Sequence, residues 1–138
     1  NSRVLSTKRT FKGGKMRPRE NQVEKLFEST LNRLLNPRGY TITLGPFSNG
    51  SCTIPLFLKN EYRTRGIGAI WPEWSDTYVV CIGERRGLYL SWKLSEKGVE
   101  LSLNTETTDP KDFHSEETLP HSKMFIDLSE TILQEFRK

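Results

Sequence analysis

The sequence predicts an α+β fold: an antiparallel sheet of about six strands in a meander, flanked by an N-terminal and a C-terminal amphipathic helix. Three observations lead there. Apolar residues recur at three and four near both ends of the domain, six runs between them alternate with period two, and short turns join those runs. Short connections favour antiparallel neighbours, because parallel strands need long crossovers.

The first helix is expected over residues 19–35, where Val23, Leu26, Phe27, Leu31, Leu34 and Leu35 share one face. Pro18 suits its first turn, Glu20 and Glu24 its electropositive end, and Asn36-Pro37 with Gly39 its stop. From Tyr40 the period changes to two. Tyr40, Ile42 and Leu44 form one strand, and Cys52, Ile54, Leu56 and Leu58 the next. Gly45-Pro46 and Asn49-Gly50 turn the chain between them. The triplet Asn49-Gly50-Ser51 also matches a glycosylation acceptor, but Asn-Gly is read here as a hairpin signal. Pro55 has no amide proton, which calls for an edge strand or a bulge.

A third strand is expected over residues 62–71, weakened by Gly66 and Gly68, and followed by a turn in Pro72-Glu73-Trp74-Ser75-Asp76. Tyr78, Val80 and Ile82 mark the fourth strand, and Glu84-Arg85-Arg86-Gly87 a tight turn. Leu88, Leu90, Trp92 and Leu94 share a face of the fifth strand against Tyr89, Ser91 and Lys93. Val99, Leu101 and Leu103 make the sixth. Residues 104–121 are polar and acidic, with Asp109-Pro110 starting a short helical turn. A last helix over 123–137 carries Met124, Phe125, Leu128, Ile132, Leu133 and Phe136 on one face.

Charge divides the chain differently. Arg3, Lys8, Arg9, Lys12, Lys15, Arg17 and Arg19 face no acid within the first nineteen residues, whereas the whole chain is only +4. Everything from Glu20 onward therefore carries −3, the difference between the chain's +4 and this segment's +7. Residues 1–17 read as a basic flexible arm and residues 18–138 as a single α+β domain. Such an arm is drawn to polyanions through counterion release.

No apolar run approaches the ~18 residues of a membrane span, and no secretion signal is evident, so an intracellular, cytoplasmic or nuclear, setting is expected. The chain starts at Asn1 without Met, as an excised domain of a larger parent or a processed product would. Cys52 and Cys81 form no zinc spacing and are read as small buried residues in a reducing compartment.

The candidate sites follow from the charge. Arg38, Arg63, Arg65, Arg85 and Arg86 lie in turns, and with Arg17 and Arg19 they are expected to contact phosphate through planar guanidinium forks. Trp71, Glu73 and Trp74 could form one wall of a base-stacking pocket, the acid accepting a base amino proton. The competing reading makes Trp71 a core residue at a strand end and Trp74 a cover for the rim. The leading expectation is a nucleic-acid-binding module that uses the arm, the arginine turns and the aromatic corner, with DNA or RNA as partner and no cofactor or metal.

Two alternatives stand beside it. A protein-interaction domain could use the basic arm as a tail. A metal-dependent nuclease could use Glu24, Glu28, Asp76 and Glu84, in the carboxylate order of restriction-type enzymes. Those enzymes end in Glu-x-Lys, whereas Glu84-Arg85-Arg86 replaces the activating lysine with an arginine that holds its proton. No Walker loop, GxSxG or HExxH occurs, which lowers the expectation of an enzyme. Gly39-Tyr40 through Leu58, with TIPLFL, and the later LYLSW resemble the DNA-recognition domains of modification-dependent restriction systems. In those, a helix precedes a sheet that holds a flipped modified base. The likeness spans part of the chain and has no diagnostic residues, so no site is carried over from it.

Overall fold

A computed structural model describes residues 18–105 and 112–138. The basic arm with Arg17, the expected turn at Asp109-Pro110, and the side chains of Arg19 and Arg86 lie outside what it describes. Helix α1 (Pro18–Leu35) leads through a 3₁₀ turn (Asn36–Arg38) into six strands: β1 (Thr41–Leu44), β2 (Ile54–Lys59), β3 (Thr64–Trp74), β4 (Thr77–Ile82), β5 (Arg85–Ser95) and β6 (Gly98–Asn104). A second 3₁₀ turn (Leu119–His121) precedes helix α2 (Lys123–Arg137). The strands form one antiparallel sheet in chain order, curled into a half-barrel.

Both helices pack on the inner face of that curl. Phe27 and Leu31 of α1 and Phe125, Leu128 and Ile132 of α2 meet Ile42, Leu56, Ile70, Val80, Leu90 and Leu101 of the sheet in one buried cluster. Phe27 and Phe125 meet edge to face at 6.0 Å. Helix α1 touches β1 and β6, the two outer strands, and so spans the gap the sheet leaves open. Among the described residues no helix is long and apolar enough to cross a membrane.

The free side of β1 is not left bare. Asn32 of α1 donates to the Ile42 carbonyl at 3.0 Å and accepts from its amide at 2.7 Å, which imitates a neighbouring strand. Glu28 accepts from the Leu44 amide at 2.9 Å. Along β6, Leu101 exchanges backbone bonds of 3.0 and 2.9 Å with His114. Unpaired strand edges template aggregation, and these contacts remove part of that template.

Three expectations need correction. Cys52 is exposed and outside β2, with a left-handed φ of 59°, because the turn ends on it rather than on Gly50. Its amide closes the turn onto the Ser48 carbonyl at 2.6 Å, and Ser48 then bridges to Thr53. Cys81 is partly covered, and both thiols are free. Leu94 is 41 % exposed, although it shares the face of the buried Leu90. The expected turn at Pro72-Glu73-Trp74 is strand, and the chain reverses only at Ser75-Asp76.

Pro55 does sit beside a bulge. Its carbonyl accepts from Gly45 at 2.8 Å, just past the end of β1, so its missing amide proton faces a place where the ladder has already ended.

Candidate nucleic-acid interface

Strand β3 carries two bulges, and they decide which residues share a face. Leu56 pairs with Gly68 while Phe57 pairs with Gly66, so Ile67 is the extra residue of the first. Pro72 pairs with Tyr78 while Trp74 pairs with Thr77, so Glu73 is the extra residue of the second. In an unbroken strand, side chains three apart point to opposite faces. The first bulge lets Ile67 and Ile70 both reach the core. The second puts Trp71, opposite Val79, and Trp74, opposite Thr77, on the outer face together. Trp71 is thus not the core residue its place at a strand end suggested.

The outer face at this end of the sheet is aromatic. Trp74 stacks on Tyr89 of β5 at 5.6 Å with 28° between the rings, and remains 54 % exposed. Val79 lies between Trp71 and Tyr89 in the pairing order and is only 5 % exposed, although it takes no part in the helix-covered core. Beside it, Phe47, Ser51, Cys52, Thr53, Trp71 and Pro72 line a cleft of about 560 Å³. The left-handed turn at Cys52 brings the β1–β2 loop over the end of β3 and forms one wall of that cleft. Sequence reasoning missed Phe47 and Tyr89. The signal for Tyr89 was available, since it alternates with the core residues Leu88 and Leu90.

The arginines stand elsewhere. Arg65 donates to the carbonyls of Glu135 and Phe136 at 3.1 Å each, and Arg63 donates to Phe136 while lying 4.5 Å above its ring. Both cap the C-terminal end of α2, where unpaired carbonyls and the helix dipole favour cations. Arg38 pairs with Glu130 of α2. Arg85 begins β5 beside the β4–β5 turn, where the Gly83 amide bonds to the Ile67 carbonyl at 2.8 Å. Next to Arg63, Glu61 accepts from the Tyr62 phenol and raises its pKa above the ordinary tyrosine value.

Arg65 and Trp74 are therefore at opposite ends of β3, about 23 Å apart along the strand at ~3.3 Å per residue once the two bulged residues are discounted. They also lie on opposite faces, since Arg65 reaches α2 and Trp74 faces outward. The structure brings together Trp71 and Trp74, with the exposed Glu73 between them, and separates that corner from Arg38, Arg63, Arg65 and Arg85.

The nuclease carboxylates do not converge either. Glu24 accepts from the Tyr78 hydroxyl at 3.0 Å, Glu28 is taken by Leu44, and Asp76 and Glu84 flank opposite ends of β4. Among the described residues no group of three His, Cys, Asp or Glu could hold a metal ion.

What the aromatic end does share is the entry of the arm. Helix α1 begins at Pro18, and the Glu24–Tyr78 bond ties its early turns to the strand beside Pro72. The six cations of residues 1–17 are therefore joined to the fold at the aromatic end and not at the arginine end.

No protein-family model, curated protein or solved structure matches the chain. The geometry alone carries the functional reading.

Proposed function

We propose that this fold is a nucleic-acid-binding module in which the aromatic end meets bases and the N-terminal arm supplies the phosphate contacts. The observation that carries this is the pairing of Trp71 and Trp74 on one outer face at the end of the molecule where α1 begins. Base–aromatic stacking and a cationic tether are the two components that binding without sequence preference needs. The partner is DNA or RNA, and the setting intracellular. Of the expected phosphate ligands, Arg17 and Arg19 stay in this reading, and Arg85 and Arg86 could meet the strand only at its far end. Arg38, Arg63 and Arg65 serve the fold.

Filter binding with the full chain tests it. Retention of random oligonucleotides at low salt, lost steeply as salt rises, supports the reading. No retention, or retention indifferent to salt, overturns it.

A second reading has one observation in its favour. Glu73 and Asp76 are exposed beside the aromatic corner and repel phosphate. If nucleic acid is not retained, the same aromatic face fits a protein partner whose basic groups would meet those acids.

A further inference from the structure

We infer that the aromatic end takes unpaired bases, so that the ligand is single-stranded nucleic acid held at two stacking positions. This rests on the proposed function and adds the strandedness of the ligand. The first position is the cleft between Phe47 and Trp71, with Pro72 and Thr53 in its lining. The second is the indole of Trp74, which has one ring face against Tyr89 and more than half its surface exposed.

The spacing argues for separated bases. Trp71 and Trp74 pair with Val79 and Thr77, two residues apart on β4, which sets them about 7 Å apart along the strand. Bases within a duplex strand rise only about 3.4 Å per step. Neighbouring bases on these two positions therefore cannot remain stacked on one another. A duplex hides its base faces and presents only edges in its grooves. The outer face here offers the opposite, namely the rings of Trp74, Tyr89 and Phe47 with the apolar Pro55 and Ala69 nearby. Every base has a π face, so such a surface tolerates any sequence.

The basic segment before Glu20 supplies a charge complementarity that the corner's own Glu73 and Asp76 do not, and it favours this occupant over an uncharged peptide. The fold from Glu20 onward is net negative, and the seven cations before it enter at this end. A single strand is flexible enough to follow the arm with its phosphates while its bases turn to the sheet.

The test is fluorescence anisotropy of the full chain with labelled oligothymidylate, oligouridylate and a hairpin duplex of matched charge, at low salt. The single strands should bind at least about tenfold more tightly than the duplex. Trp74→Ala should weaken the single strands by about 5- to 100-fold, the range of one lost base stack, and Trp74→Phe should restore most of that loss. Duplex affinity, supplied by the arm, should stay level. Trp74 is exposed, so the variant should fold.

Bound single strand should also shield Cys52, which lines the cleft, from alkylation, and the duplex should not. A preference for either sugar chemistry shows which polymer the site takes, with the inference intact. Equal binding of strand and duplex, or Trp74→Ala without effect, overturns the inference and leaves the proposed function standing. Failure of all three probes to bind overturns the proposed function itself.

Discussion

Gly68 shows how little room this sheet leaves at single positions. A Cβ placed on it would come within 2.1 Å of the Cys81 carbonyl oxygen, a backbone atom that cannot step aside. The close approach of β3 and β4 at the first bulge depends on that missing carbon. Gly68→Ala should therefore cost about 3 kcal/mol, the upper part of the usual overpacking range, measured as a lower midpoint in urea unfolding. A midpoint unchanged from the parent chain would mean that the two strands can part without loss. Cys52 illustrates the reverse case, since an L-residue holds a left-handed φ where Asn49-Gly50 seemed the natural place for it. The dipeptide announces a turn, but which turn residue goes left-handed is set by the Ser48–Thr53 bridge, a pairing that no local pattern encodes.

At the scale of elements, side chains do work that backbone does elsewhere. Asn32 supplies the edge of β1 with both a donor and an acceptor. Asn32→Ala would strip a partner from two backbone groups of Ile42 at once, and should cost about 1–3 kcal/mol together with visible aggregation on storage. A variant as stable and as monodisperse as the parent, by unfolding and light scattering, would show that water replaces Asn32 without loss.

Arg65 does for the end of α2 what Asn32 does for β1. Arg65→Ala should lower stability by about 1–2 kcal/mol while leaving oligonucleotide affinity unchanged. A drop in affinity without a drop in stability would return Arg65 to the ligand. These partners were hidden in the sequence for a plain reason. Arg65 and Phe136 are 71 residues apart, and an arginine beside a glycine looks the same whether it meets a helix end or a phosphate.

The elements themselves were legible, because a three-and-four repeat and a two-residue repeat are properties of the backbone that local sequence records. Helix α1 starts within a residue of the expected place and α2 spans the expected range. What the repeats could not register were the two bulges of β3. An extra residue inverts the count of faces, so alternation alone could not choose between Trp71 in the aromatic corner and Trp71 in the core, and Tyr89 was not joined to that corner.

For the whole molecule, the decisive feature is that its two functional-looking chemistries sit at opposite ends of β3. The arginine end is held by α2, and the aromatic end adjoins the start of α1. Phosphate affinity should consequently reside in the arm almost entirely. If each of the six cations in residues 1–17 neutralises one phosphate, log affinity for a single strand should fall against log salt with a slope of about −4. Deleting residues 1–17 should remove most of the binding at low salt and flatten the slope of what remains, with unfolding unchanged. A truncated chain that still binds with a steep slope would mean that folded-domain arginines, not the arm, hold the polymer.

The half-barrel is lined by helices on one side only, and that asymmetry has a practical consequence. Curvature and cohesion are settled mainly from within, by α1 and α2 against the concave wall, so the positions of the convex wall around the buried Val79, Thr77 and Ser91 are open to change. A library randomised at Pro55, Phe57, Ala69, Trp74 and Tyr89 should keep its shape in most members while changing what it grips, which would make this chain a scaffold for engineered recognition.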